Sequence, residues 1–414
     1  MAADPISDGV RAAAEAAARD AYGRLVAVLT ARTCDIAAAE DAVSSAFVAA
    51  LDVWPRRGIP DRPEAWLLTV ARRKLIDAGR KQATAREAAP DMIRIVDEAA
   101  SRAERDSAFP DERLKLMFIC AHPALDPALH TPLMLQTVLG FDAARIGAAF
   151  LVSPAAMSQR LVRAKTRLRT LQPGFIEPDR EEWPDRIRAV LHAIYAAYAA
   201  GAASGAGPVE DAGGLIREAA ALARILTGLL PGDAEALGLL ALILYGEARR
   251  PAARDASGGF IPLGQQDTAR WDMALISRAE ALLRRAIAMD AGGRFVLEAA
   301  IQSAHCARAV TRHTDWDAIL ALYDRLISAH PTAGAIVARA CALGSAGGAE
   351  EGLATLEALD PARMVSFQPY WAARGYLLAV TGDMAAARES YERAADLATD
   401  PAVRDFLKDR AAGS

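Results

Sequence analysis

The chain has 414 residues, 53% of them hydrophobic and 24% charged. That is enough apolar surface for two or three buried cores and too much for a disordered chain. It contains no run of about 18 apolar residues free of charge, which argues against a membrane span, and MAADPISDGVR lacks the basic-then-apolar pattern of a signal peptide.

The net charge of −4 is unevenly placed. Residues 1–173 hold 24 Lys and Arg against 21 Asp and Glu, a net of +3, whereas residues 174–414 hold 24 against 31, a net of −7. A mildly basic front and an acidic back imply different partners for the two halves. Aromatics are only 6% and alanine is abundant, which favours helices, since alanine gives up least on entering one. Cys34, Cys120, Cys306 and Cys341 form no C-x-x-C pair and read as isolated reduced thiols of a cytoplasmic protein.

Residues 10–53 read as helices, with Leu25, Val26, Leu29 and then Ala42, Val43, Ala46, Phe47, Ala50 and Leu51 at three- and four-residue spacing. Trp54 to Pro63 holds three prolines and a glycine and is predicted as a loop. A helix follows from Glu64 to about Lys81, with Trp66, Leu67, Val70 and Ile76 inward. Residues 82–108 are polar, with acids at Glu87, Asp91, Asp97, Glu98, Glu104 and Asp106, and read as a linker.

Helices are predicted again at 110–122, 126–139, 142–150 and 154–170. Gln172 to Pro178 breaks the pattern and is the best domain boundary. Beyond residue 185 helices dominate, interrupted by a Gly/Ala/Ser-rich loop at 201–214 and a non-helical stretch at 250–268. Near the end Trp371, Gly375, Gly382, Ala387, Tyr391 and Ala394 fall at the spacing of a tetratricopeptide unit, where small residues let two antiparallel helices approach. Weaker matches lie around 215–245, 270–290 and 316–345. With no alternating strand pattern, the expected fold is all-α.

The clearest local motif runs from Phe141 to Lys165. Ser153 suits a helix N-cap and Pro154 the first helical position. Ile146, Phe150, Met157, Leu161, Ala164 and Leu168 make the inward faces of two short helices joined by a tight turn, a helix-turn-helix. Ser158, Gln159, Val162 and Arg163 fall on the outer side, and Arg160, Lys165, Arg167 and Arg169 add positive charge. From Asp142 to Pro173 six Lys and Arg face one acid, as in a major-groove reader flanked by phosphate contacts. A solvated basic face on a structural hairpin is the plainer alternative.

The second motif is the helix of Trp66 to Lys81. One face is apolar and the other carries Arg72, Arg73, Lys74, Arg80 and Lys81. Cations beside an aromatic suit an opened DNA strand, whose phosphates need charge and whose bases need stacking. Taken alone, the run fits an ordinary amphipathic helix with Trp66 in the core at least as well.

The order of these motifs resembles an extracytoplasmic-function sigma factor throughout residues 10–170. Glu40-Asp41-Ala42-Val43 with Phe47 resembles the helix that docks on the clamp helices of RNA polymerase. Trp54-Pro55 and the helix from Trp66 to Lys81 resemble the part that melts and reads the −10 element, and the helix-turn-helix resembles the −35 reader. Phe109 to Leu125, with Ala236 to Leu242, Ala248 to Ala252 and Gln266 to Asp272, resembles the subgroup bearing a long tetratricopeptide-like C-terminal extension.

The resemblance implies sigma region 2 at 10–86, an acidic linker at 87–109, sigma region 4 at 110–172 and a helical-repeat domain at 180–414. It implies core RNA polymerase and promoter DNA as partners, and a non-enzymatic protein without cofactor or metal. Asp41, Ser44 and Ser45 are then expected at polymerase. Trp66, Arg72, Arg73, Lys74, Arg80 and Lys81 are expected at the −10 element, and Ser158, Gln159, Arg160, Val162, Arg163 and Lys165 at the −35 element. The acidic tail is expected to contact the sigma domains and modulate them. Arg73 stands where the family usually carries an asparagine, and Gln159 and Val162 are not its commonest recognition-helix residues, so promoter sequences are not carried over.

Two other classes compete: a repeat-scaffold adaptor, and a DNA-binding regulator that does not replace a sigma factor. Residues 40–81 discriminate, because a simple regulator needs neither a docking helix nor a melting helix. His122 reads as a helix-end residue, Glu181-Glu182 as a helix start, and Ser257-Gly258-Gly259 lacks the lysine of a phosphate loop.

Overall fold

The computed structural model describes residues 21–83, 109–150, 152–171, 177–203 and 209–413. Among these residues every regular element is a helix, apart from one isolated antiparallel bridge between Arg254 and Phe260. The all-α expectation is borne out. The chain divides into two compact units, Met1–Ala197 and Tyr198–Ser414.

The first unit opens with α1 (described over 21–33), α2 (Ile36–Arg57) and α3 (Pro63–Ala83). Asp35 caps α2 by accepting the Ala38 N–H at 3.1 Å. Ile36, Ala39, Val43, Ala46 and Ala50 form its buried stripe, and Leu25, Val26 and Leu29 of α1 are buried as well. The helix does not stop at Trp54 as predicted. It runs through Pro55 to Arg57, because Trp54 is buried against Trp66 with ring centroids 5.6 Å apart, while Pro55 falls in the last turns. There a proline forfeits a hydrogen bond at a fraying end rather than in the helix middle. On α3 Leu67 and Ala71 are buried, but Ile76, expected inward, is 42% exposed. Beyond Ala71 no described side chain of α3 is buried.

The acidic linker lies outside the described residues up to Ser107 and Ala108. The chain is described again at α4 (Glu112–Cys120), α5 (Pro127–Thr137), α6 (Ala143–Ala149), α7 (Pro154–Leu171) and α8 (Trp183–Ala203). Helix α4 is buried on all sides, from Arg113 to Cys120. In the α6–α7 pair Ile146, Met157, Leu161, Ala164 and Leu168 are buried as the periodicity requires. Phe150 is not. It is 39% exposed, because α6 ends at Ala149 and the turn carries Phe150 off the face that Ile146 shares with α7.

The second unit stacks α9 (Val209–Leu229), α10 (Ala234–Arg249), α11 (Met273–Met289), α12 (Arg294–Cys306), α13 (Trp316–Ala329), α14 (Ala333–Ser345), α15 (Ala349–Glu357), α16 (Gln368–Thr381), α17 (Met384–Leu397) and α18 (Pro401–Ala412). Each packs on helices one or two places away in sequence, α12 chiefly on α10, the local packing order of a solenoid. The loop predicted over 201–214 is shorter than expected. Alanine carries α8 to Ala203, and α9 begins at Val209. The stretch after α10 is non-helical as read, save for three-residue 3-10 turns. It is held by Arg308, whose guanidinium donates to the carbonyls of Leu263, Gly264 and Gln266.

The tetratricopeptide spacing corresponds to the α16–α17 hairpin. Ala387, Tyr391 and Ala394 are buried, and Gly375 lies so close to Tyr391 that a Cβ there would sit 2.8 Å from its ring. Gly375→Val is therefore expected to lower the stability of this unit by about 1–3 kcal/mol through overpacking, read as a lower urea midpoint. Val380→Ala, at a position 52% exposed on the same helix, should leave the midpoint unmoved.

Candidate nucleic-acid and protein interfaces

Helix α2 presents one unburied stripe. Asp41, Ser44 and Ser45 are exposed on it, and the same face continues through Val48, 62% exposed, and Leu51, 48% exposed. Those two apolar residues escaped the sequence reading, in which Leu51 was counted with the core. The signal was present, since positions three and four apart from Ser44 and Ser45 share their face.

On α3, Trp66 is half-buried, between the exposed aromatic and the core residue that were the two readings. Arg73 and Lys74 are exposed and Arg72 is half-buried. The side chains of Arg80 and Lys81 lie outside the described residues. Glu64 at the start of α3 pairs with Arg24 of α1 at 3.0 Å.

On α7, Ser158, Gln159, Arg160, Val162 and Arg163 are all exposed, and Val162 is 60% exposed. Arg163 Nε donates to the Gln159 carbonyl at 3.3 Å, which lays its guanidinium along the helix. Ser153 caps the helix weakly, accepting from Ala156 N–H at 3.4 Å. A row of polar and basic side chains opposite a fully apolar stripe is what a groove-reading helix requires.

Lys165 differs from its neighbours. Its ammonium donates to Glu40 of α2 at 2.5 Å, and one turn on Arg169 pairs with Asp35 at 3.1 Å. The Lys165 side chain is only 9% exposed. Four residues apart, the two cations share one edge of α7, and that edge lies against the start of α2. Burial raises the proton affinity of Glu40, and Lys165 partly offsets the effect. Tyr22 beside it is pushed upward as well, by burial first and then by Glu40 and Asp41.

The sequence reading also missed how the region after the helix-turn-helix supports it. Trp183 packs on Phe109 and Phe118, with centroids 5.0 and 5.4 Å away, and Arg186, almost wholly buried, donates to the Phe118 carbonyl at 2.9 Å. It also pairs with Glu182. An arginine there satisfies one of the carbonyls left open at the end of α4. The four cysteines are free, and burial pushes the thiols of Cys120 and Cys341 up to about 12 and about 11, away from the reactive range. No cluster of potential metal ligands occurs among the described residues.

Comparison with known proteins places these features. Residues 18–84, which hold α1 to α3, match the family Sigma-70 region 2. Residues 186–287 match a family of unknown function, DUF6596. An uncharacterised protein of Rhizobium meliloti (strain 1021) is 34% identical over 374 residues, covering 89% of this chain and 88% of its own length. The chain belongs to the extracytoplasmic-function type of sigma factor with a C-terminal extension. A role in transcription initiation follows, with core RNA polymerase and promoter DNA as the partners region 2 implies. No described helix of this sigma factor is long and apolar enough to cross a membrane.

Arg186→Met should uncover the Phe118 carbonyl in a dry site and remove about 1–3 kcal/mol from the first unit, measured by urea denaturation followed through Trp183 fluorescence. An unchanged midpoint would show that water replaces the guanidinium without loss.

Proposed function

We propose that this sigma factor carries core polymerase to its promoters through α2, opens and reads the −10 element with α3, and reads the −35 element with α7. The observation that carries the reading is the outward row on α7 set behind a region 2 helix pair. A regulator that merely bound duplex would not need α2 and α3. Asp41, Ser44 and Ser45 contact polymerase, with Val48 and Leu51 as the apolar part of the same surface. Trp66, Arg72, Arg73, Lys74, Arg80 and Lys81 line the path of the opened strand. Ser158, Gln159, Arg160, Val162 and Arg163 meet the −35 duplex, and Lys165 joins them once freed from Glu40. The protein acts in the cytoplasm and carries out no chemistry itself.

The extension from residue 180 onward modulates this activity, either holding the DNA-reading surfaces back or completing a surface that polymerase needs. Its acidity supports the first, since residues 180–414 hold 24 Lys and Arg against 29 Asp and Glu, and a net of −5 behind a basic front favours attraction that salt weakens. Solenoid surfaces are commonly binding surfaces.

Run-off transcription with purified core polymerase tests the whole reading: transcripts starting at defined sites are expected only when this chain is added, and none at any site would refute it. Arg163→Ala should weaken −35 duplex binding by about 1–3 kcal/mol if its contact is bidentate to a base, as read by fluorescence anisotropy. Asp41→Arg should abolish co-purification with core polymerase while the circular dichroism spectrum stays native. Truncation belongs after Ala203 rather than before α8, because Trp183 and Arg186 complete the first unit. Transcription from the truncated chain should rise if the extension inhibits or vanish if it is required, and an unchanged rate at all salt concentrations would remove the modulating role.

A further inference from the structure

The second unit holds a cavity of about 600 Å³, within the size range of sites for small molecules. Six rings line it. His305 comes from α12, Trp316 and Tyr323 from α13, Tyr376 from α16, Phe406 from α18, and Phe260 from the stretch after α10. All six are only half-buried. Contiguous apolar surface left open to water marks a place where something binds.

The stretch after α10 forms one wall, a strap whose tip is a tight turn. There Asp255 accepts the N–H groups of Ser257 and Gly259, both at 2.8 Å. The strap is pinned to the last helix of the unit. Arg254 pairs with Asp400 at the cap of α18, and the Phe260 ring meets Phe406 edge-on at 5.4 Å. These contacts bridge the helix stack from near its beginning to its end. An extended peptide needs a continuous groove and partners for its own N–H and C=O groups, and a cavity bridged in this way suits a compact molecule better.

The charges of the lining narrow the choice further. No Asp, Glu or Lys lines the cavity. Its one permanent cation, Arg308, donates to the carbonyls of Leu263, Gly264 and Gln266 and lies over the Trp271 ring, so it serves the strap. His305 is neutral at physiological pH, because burial and then Arg249 and Arg308 lower its pKa to about 4. The hydroxyls of Ser345 and Tyr376, 3.2 Å apart, offer a polar handle. An ionised guest would lose its hydration with no opposite charge to meet it, whereas an uncharged ring gains contact with the aromatic wall.

We propose that this cavity is a binding site for an uncharged, ring-bearing small molecule, held between the aromatic wall of α13, α16 and α18 and the strap of residues 253–264. It gives the extension an input of its own, separate from DNA and polymerase.

Nile red and Nile blue share one ring system, the first neutral and the second a cation, and both are titrated into the full-length protein. Nile red should bind saturably at one site with blue-shifted emission, and Nile blue at least about tenfold more weakly. Gly334 lines the cavity and has open space where a Cβ would stand. Gly334→Trp should therefore fill the site and weaken Nile red about tenfold or more. Gly228→Trp, at an equally open position on α9 away from the cavity, should bind as the wild type does, and circular dichroism checks both folds. Independently of any variant, Nile red should slow amide hydrogen exchange in residues 258–264 and 334–345 and leave α2 unchanged. Absence of saturable Nile red binding, protection of other segments instead, or unweakened binding by folded Gly334→Trp overturns the site. Equal affinity for Nile blue overturns the uncharged class and the proposal with it. None of these readouts involves DNA or polymerase, so their failure leaves the sigma-factor reading standing.

Discussion

A buried contact, Lys165 with Glu40, ties α7 to α2 within the first unit. Glu40 has one oxygen on the ammonium and the other on nothing. The pair is strong because its surroundings are partly dry, and the same dryness raises the carboxyl's proton affinity. Breaking it by removing one partner would strand the other charge away from water. Nearby, Tyr22 packs on Gly140 and Gly23 on Val138, so α1 is closely packed beside the pair. Through it, and through Arg169 with Asp35, α7 is joined to the first half of α2.

The second constraint is the burial of α4. A helix covered on every side, with Arg113 and Lys115 among its buried residues, needs charge partners and a lid. Asp111 chelates Arg113 through two hydrogen bonds of 3.0 and 2.7 Å, and Glu177 faces Lys115 at 3.7 Å. Trp183 and Arg186 then close the end of the helix. The beginning of the extension is thus part of the DNA-reading unit's core. A length of chain that sequence divides from region 4 at the proline-rich break is, up to Ala197, folded into the same unit.

Helix positions were legible because alanine-rich periodicity and Asp caps are local signals. Asp35, Asp111, Asp126, Asp233, Asp272 and Asp383 each accept a backbone N–H at a helix start. The hairpin of Gly375 and Tyr391 was legible for the same reason, since its two helices are adjacent in sequence. What failed was whatever depended on distant partners. Pro55 was read as a stop because local rules cannot see Trp66 holding Trp54 in place. Ile76 and Phe150 were counted inward because periodicity does not reveal where a neighbouring helix ends. Lys165 was grouped with the outward cations although its partner, Glu40, is 125 residues away, and Arg186 carried no signal at all until Phe118 was seen beneath it. Among the proposed DNA contacts, the exposure of Ser158, Gln159, Val162 and Arg163 followed from the wheel alone.

The molecule combines an exposed stripe on α2, a basic helix beside a tryptophan pair, and a helix-turn-helix whose second helix is tied to α2 by two ion pairs. Of these, α3 sets a sigma factor apart from a duplex-binding regulator, because cations beside an aromatic serve a strand that has been opened. The most direct measurement is permanganate reactivity of thymines at a promoter mapped by run-off transcription. With core polymerase and the wild-type chain, thymines of the −10 element should become reactive. With Arg73→Ala/Lys74→Ala, which leaves the buried face of α3 untouched, that reactivity should fall while polymerase still co-purifies. Undiminished reactivity with the variant would contradict the assignment of α3 to the opened strand.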